Sequence, residues 1–186
     1  IKSKAMNGGA KTVEFYGTGN VHNTVTETYY IRSFEATYAT DYPGVTQRVS
    51  QEYKYNKSGG SWSFTKEFIV EVVYDGIPNP TEDELMSQIN ANMKEFLGGS
   101  YTDVVGEIES IKLADKPRWM WHDVSSVSVN MEAIYSKKMS STKISKVKQI
   151  HTIRLYSDGY KKPWNKFGAS KEGYPEILST DVYTSE

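Results

Sequence analysis

Two stretches of this 186-residue chain concentrate side chains able to hold a ligand. In "KPRWMWHD", Trp119 and Trp121 are two residues apart. An extended backbone therefore carries both indoles on one side, about 7 Å apart, with Arg118 and His122 on the other. In "GYKKPWNKF", Tyr160, Trp164 and Phe167 alternate with Lys161, Lys162 and Lys166. Indoles are costly to expose and concentrate at binding surfaces. We expect Trp119 and Trp121 to form an apolar platform for a sugar ring, a small molecule or a partner protein, with Arg118 and His122 at its rim. Trp164, Lys161 and Lys162 would add a basic and aromatic patch of the kind that suits acidic polymers, single-stranded nucleic acid or anionic headgroups. The competing reading is structural: tryptophans that close the end of a sheet, and lysines that keep an edge strand from aggregating.

Other candidate chemistry is thin. The chain has no cysteine, which excludes disulfides, thiolate nucleophiles and cysteine-based zinc sites. Its three histidines lie in neither an H-x-H nor an H-E-x-x-H spacing. His151, in "VKQIHTIRLY", shares a strand face with Val147, Ile153 and Leu155 and reads as a neutral core residue. Asp123 follows His122 directly, so on a strand the two point to opposite sides. Glu107 and Glu109 share a face, but no apolar pocket adjoins them in the sequence to make one an acid. "GTGNVH" lacks the third glycine of a dinucleotide fingerprint and runs into Thr- and Val-rich β pattern, so it reads as a turn. "TEDE" is a helix-capping device rather than a calcium loop. No catalytic residue, metal or cofactor is expected.

The net charge of −1 hides an asymmetry, for residues 137 to 171 carry ten basic side chains against Asp158 alone, a formal +9. Such polarity either makes an anion-attracting face or is neutralised across a sheet. Near-neutrality of the whole chain, with no recognisable module motif, argues against nucleic acid as the partner.

The elements that must position these residues are one helix and many strands. In "TEDELMSQINANMKEFLGG", Thr81 and Glu84 form a capping box. Leu85, Ile89, Met93 and Phe96 make an apolar stripe, and Gly98 and Gly99 stop the helix. Elsewhere the pattern has period two, as in "VSVNMEAIY" and "KEFIVEVVY", the mark of antiparallel strands with one buried side. Between Thr24 and Ala39 the apolar phase moves from odd to even positions, which predicts a β-bulge, or a strand that moves from one buried surface to another, in a strongly curved sheet. "FEATY" at 34–38 and "MEAIY" at 131–135 share three residues of five, and Trp62 and Trp164 each follow a glycine turn. These echoes suggest two related halves, 11–74 and 81–167, with a tail at 168–186, inside a single compact domain spanning 1–186.

A helix followed by a strongly curved antiparallel sheet resembles, in element order, cystatin-like and nuclear-transport-factor-like rolls. The expected class is α+β, the alternative a single large antiparallel sandwich or barrel with one helix. The expected function is a non-enzymatic binding or interaction module outside the cytoplasm, its strands being rich in Tyr, Thr and Ser. The chain begins at Ile1, which is read as a removed leader or an excision from something longer. The alternative is a small-molecule-binding protein or enzyme with its pocket between the helix and the concave sheet.

Overall fold

A computed structural model describes residues 1 to 182. Antiparallel strands dominate and helices are few and short, a sheet-rich α+β fold. No described helix is long and apolar enough to cross a membrane. The chain divides into two compact units, Ile1–Pro78 and Asn79–Glu186, the second described as far as Val182.

The first unit opens with helix α1 (Lys2–Asn7), followed by β1 (Thr12–Phe15), β2 (Asn20–Asn23), β3 (Thr28–Ala39), β4 (Thr46–Ser58) and β5 (Ser61–Asp75). Both β1 and β2 pair with β3, β3 pairs with β4, and β4 with β5, all antiparallel. In one cluster of its core Ala5 and Ala10 pack with Phe34, Ala36 and Tyr53, with Val13, Tyr38 and Tyr55 at the margin, and Val45, Val49 and Val72 are also buried. Phe34 and Tyr53 meet edge to face, with centroids 4.7 Å apart.

The bulge expected in β3 is not there. Its pairing with β4 runs unbroken from Tyr29 opposite Asn56 to Ala39 opposite Thr46. The change of phase arises because the first half of the strand is half-covered on both faces. On one face Tyr29 stacks on His22 with centroids 4.8 Å apart and lies under the Lys54 ammonium. On the other, Tyr30 meets Trp62. The irregularities fall instead between β4 and β5, at Ser50/Gln51 and Lys54/Tyr55.

In the second unit the expected single helix is broken. Helix α2 (Glu82–Ala91) and helix α3 (Met93–Leu97) are separated by Asn92, at φ −126° and ψ 31°, and a 3-10 helix (Gly98–Asp103) follows. The Asn92 side chain donates to the Gln88 carbonyl at 2.8 Å, supplying locally a bond that competes with helix continuation. The kink turns the apolar stripe, so the buried residues are Leu85, Ile89, Phe96 and Leu97 while Met93 is only half-buried. The capping box is present: Glu84 N–H donates to Thr81 Oγ1 at 3.2 Å, and Thr81 N–H to Glu84 Oε2 at 2.8 Å.

Strands β6 (Val104–Leu113) and β7 (Met120–Asp123) both pair with β8 (Ser126–Ser140), β8 pairs with β9 (Lys143–Ser157), and β9 with β10 (Trp164–Val182). This is the pairing order of the first unit. Residues 168 to 182, set aside above as tail, belong to the 19-residue β10. An edge strand with a mostly exposed, polar surface carries no apolar alternation to betray it, and Pro175 lies where the ladder skips from Glu172 to Glu176. Inward-facing Val127, Val129, Met131, Ala133 and Tyr135 of β8 are buried, with Val147, His151, Ile153 and Leu155 of β9 beside them.

Part of the positive charge of residues 137 to 171 is met within this unit. Lys146 pairs with Glu109 on β6, Lys148 with Glu176 on β10, and Lys166 with Asp158 at 3.3 Å.

Candidate functional site

The two tryptophan stretches meet. Trp121 on β7 and Trp164 at the start of β10 have ring centroids 6.0 Å apart at an interplanar angle of 53°. Trp121 is 2% exposed and its Nε1 donates to Asn79 Oδ1 at 2.9 Å, so this indole closes the end of the core with its polar edge satisfied. Gln88 of α2 donates to the Trp164 carbonyl at 3.2 Å and ties the helix to the same end. Trp164 and Trp119 are half-buried, and Trp119 precedes β7. Burial takes the Trp121 ring out of reach of a ligand.

The polar residues expected around the platform are exposed: Arg118 ahead of β7, His122 on it, and Lys161 and Lys162 in the turn before β10. His122 Nε2 forms a 2.8 Å hydrogen bond with Ser128 Oγ. Partial desolvation of the ring against the sheet end, and then the nearby Arg154 guanidinium, hold its pKa below the ordinary histidine value, while Asp123 opposes them. Lys161 adopts φ 58° and places its ammonium 5.1 Å from the Tyr160 ring centre. Among the described residues, no carboxylate forms a hydrogen bond or ion pair with His122 or His151. Among the described residues, no three His, Asp or Glu side chains gather as metal ligands.

Sequence reasoning missed a groove of about 420 Å³ in the first unit, lined by Ile1, Val21, Tyr30, Tyr55 and Trp62. Tyr30 and Trp62 meet edge to face at 6.2 Å. Gly19 is required beside them, because a Cβ there would stand 2.0 Å from the Tyr30 hydroxyl oxygen. Val21 and Trp62 remain 56% and 43% exposed, so the groove opens to solvent. A larger cleft of about 640 Å³ follows the helix break, from Ala91 to Thr102. It is lined by the end of α2, by α3 and by the 3-10 helix, which follow one another in sequence.

The strand registers relate the groove to the tryptophan pair. Across the first unit Val21 stands opposite Tyr30, Tyr30 opposite Tyr55, and Tyr55 opposite Phe64. Across the second, Trp121 stands opposite Val127, Val127 opposite Leu155, and Leu155 opposite Phe167. Trp62 faces Lys57 as Trp164 faces Ser157. Counting along β3 and β8 from Phe34 and Met131 brings Tyr30 onto Val127, so Val21 holds the position of Trp121. The signal was present in the pairing of Trp62 with Trp164, but sequence alone does not give the β2 register. No protein-family model, no curated protein and no solved structure matches this chain.

Proposed function

We propose that the chain is a non-enzymatic binding module acting outside the cytoplasm, and that it holds a flat ring-bearing group in the groove of Val21, Tyr30, Tyr55 and Trp62. The observation that carries this reading is the register equivalence of Val21 and Trp121. In the second unit the corresponding space takes an indole from β7; in the first it is lined by aromatic side chains and open. Aromatic walls with few polar groups favour the apolar face of a planar or pyranose ring. Tyr-, Thr- and Ser-rich exposed strands support the location outside the cytoplasm.

The reading includes two further elements. The units are two versions of one structural unit, a helix followed by a bent sheet as in cystatin-like and nuclear-transport-factor-like rolls, supported by their common pairing order. Trp119, Trp164, Arg118, His122, Lys161 and Lys162 form a second, shallower contact surface, with Trp121 beneath it as support.

Indole serves as the probe, followed by NMR chemical-shift mapping. Indole should perturb residues around Tyr30 and Trp62, and the response should vanish in Val21→Trp, which fills the groove with the side chain found at the matching position. Saturable binding unchanged in Val21→Trp, or no perturbation near Trp62, overturns the proposal.

A further inference from the structure

The odd-numbered residues of β8 point inward as far as Tyr135, and the next in the series is Lys137. A second lysine, Lys171 on β10, stands opposite buried His151 on β9. Both side chains end at one atom. Lys137 Nζ donates to Ser100 Oγ at 2.9 Å, and Lys171 Nζ donates to the same oxygen. Ser100 lies in the 3-10 helix and is 2% exposed. Among the described residues the one carboxylate within 4.0 Å of Lys137 Nζ is that of Asp103, whose Oδ2 lies at 4.0 Å, beyond hydrogen-bond distance.

Two ammonium groups thus share a neutral acceptor. Each carries three N–H donors, and Ser100 takes one from each. Asp103 offsets one positive charge of the two. Burial, and then the charge of Lys137, press the Lys171 pKa below its ordinary value, the response expected where like charges are held together without enough counter-charge. A tetrahedral oxyanion answers all three conditions: it supplies acceptors on several edges, cancels the residual charge and bridges groups set by different strands.

We propose that Lys137, Lys171 and Ser100 form a binding site for a phosphate group on the second unit. The site is separate from the aromatic groove of the first unit and does not depend on it. Lysines on neighbouring surface strands usually point out to solvent and pair singly with carboxylates, as Lys146 does with Glu109 and Lys148 with Glu176. Half-buried Lys137 and exposed Lys171 instead both reach one buried hydroxyl.

The test is calorimetric titration of the full chain with inorganic phosphate and, separately, with phenyl phosphate, at ionic strength held constant with sodium chloride. Saturable binding of either is expected, with loss in Lys137→Met and in Lys171→Met. Binding of phosphate but not the ester identifies a closed site for the free ion; binding of both identifies a site open to phosphate esters. Should a methionine variant fail to fold, Asp103→Asn decides, because removing the competing carboxylate tightens binding if the anion sits between these lysines. Absence of binding to both probes overturns the proposal. So does binding that persists in the folded lysine variants, or an affinity that Asp103→Asn leaves unchanged.

Discussion

The indoles of Trp121 and Trp164 meet at 6.0 Å, one carried by the short strand that leads into β8 and the other by the first residue of β10. The contact joins both edges of the second unit's sheet at one end. Trp121 is the more deeply buried partner, and it also spends its N–H on Asn79.

Trp121→Ala should therefore cost about 3–5 kcal/mol of stability, the usual range for deleting a buried aromatic ring. Trp62→Ala, at a side chain 43% exposed, should cost much less. Urea denaturation of the two variants compares them directly. Equal costs would mean that the first-unit groove is packed like the second-unit end.

The strand-rich class and most strand limits were legible because inward residues such as Val127, Val129 and Met131 alternate without interruption. Three features were not. Asn92 breaks the helix through its own side chain, and an apolar stripe continued past it gives no warning. Tyr29 and Tyr30 are both half-covered, so burial there has no period to read. The groove at Val21 depends on which residue of β2 lies opposite Tyr30, a non-local register. The site was legible only in part: the two tryptophan stretches stood out by composition, yet their contact, and the burial of Trp121, follow from pairing across β8 and β9.

The helix break makes a second prediction. Ile89→Ala should cost about 2–5 kcal/mol and Leu97→Ala a similar amount, both being fully buried leucine-sized side chains. Met93→Ala should be milder, since Met93 lies at the turn after Asn92 and is half-buried. Thermal unfolding of the three variants separates this from a continuous helix, in which Met93 would rank with Ile89.

Removing the cap isolates a smaller effect. Thr81→Ala deletes the hydroxyl that accepts from Glu84 N–H at 3.2 Å, and should lower stability by about 1 kcal/mol. Thr81→Ser keeps the acceptor and should restore most of it. A Ser variant as unstable as the Ala variant would show that the loss comes from the threonine methyl group instead.

His151 supplies the pH dependence. Its side chain is fully buried and its ring stacks on Phe96 with centroids 4.3 Å apart. Among the described residues, neither ring nitrogen has a hydrogen-bond partner of good geometry. Burial, and after it the Lys171 ammonium, bring its pKa down to about 4, with the Phe96 backbone pulling weakly the other way. An unfolded histidine takes its proton near 6.5, so between that value and about 4 the unfolded chain binds more protons than the folded one. The contribution of neutral His151 is therefore complete above pH 6.5 and drains away as the pH falls toward 4, reaching about 3 kcal/mol. His122, also held below its ordinary value, slopes the same way, so His122→Gln serves as the reference background. Adding His151→Gln should flatten the remaining loss between pH 6.5 and 4.5, measured by urea unfolding at each pH. Glutamine is the apt replacement because the first unit has Gln51 opposite Phe34, where the second has His151 opposite Met131. Gln51 is itself buried, and its Nε2 donates to Tyr38 Oη at 3.4 Å. A slope that survives the substitution would place the acid sensitivity on the carboxylates and leave His151 with packing alone.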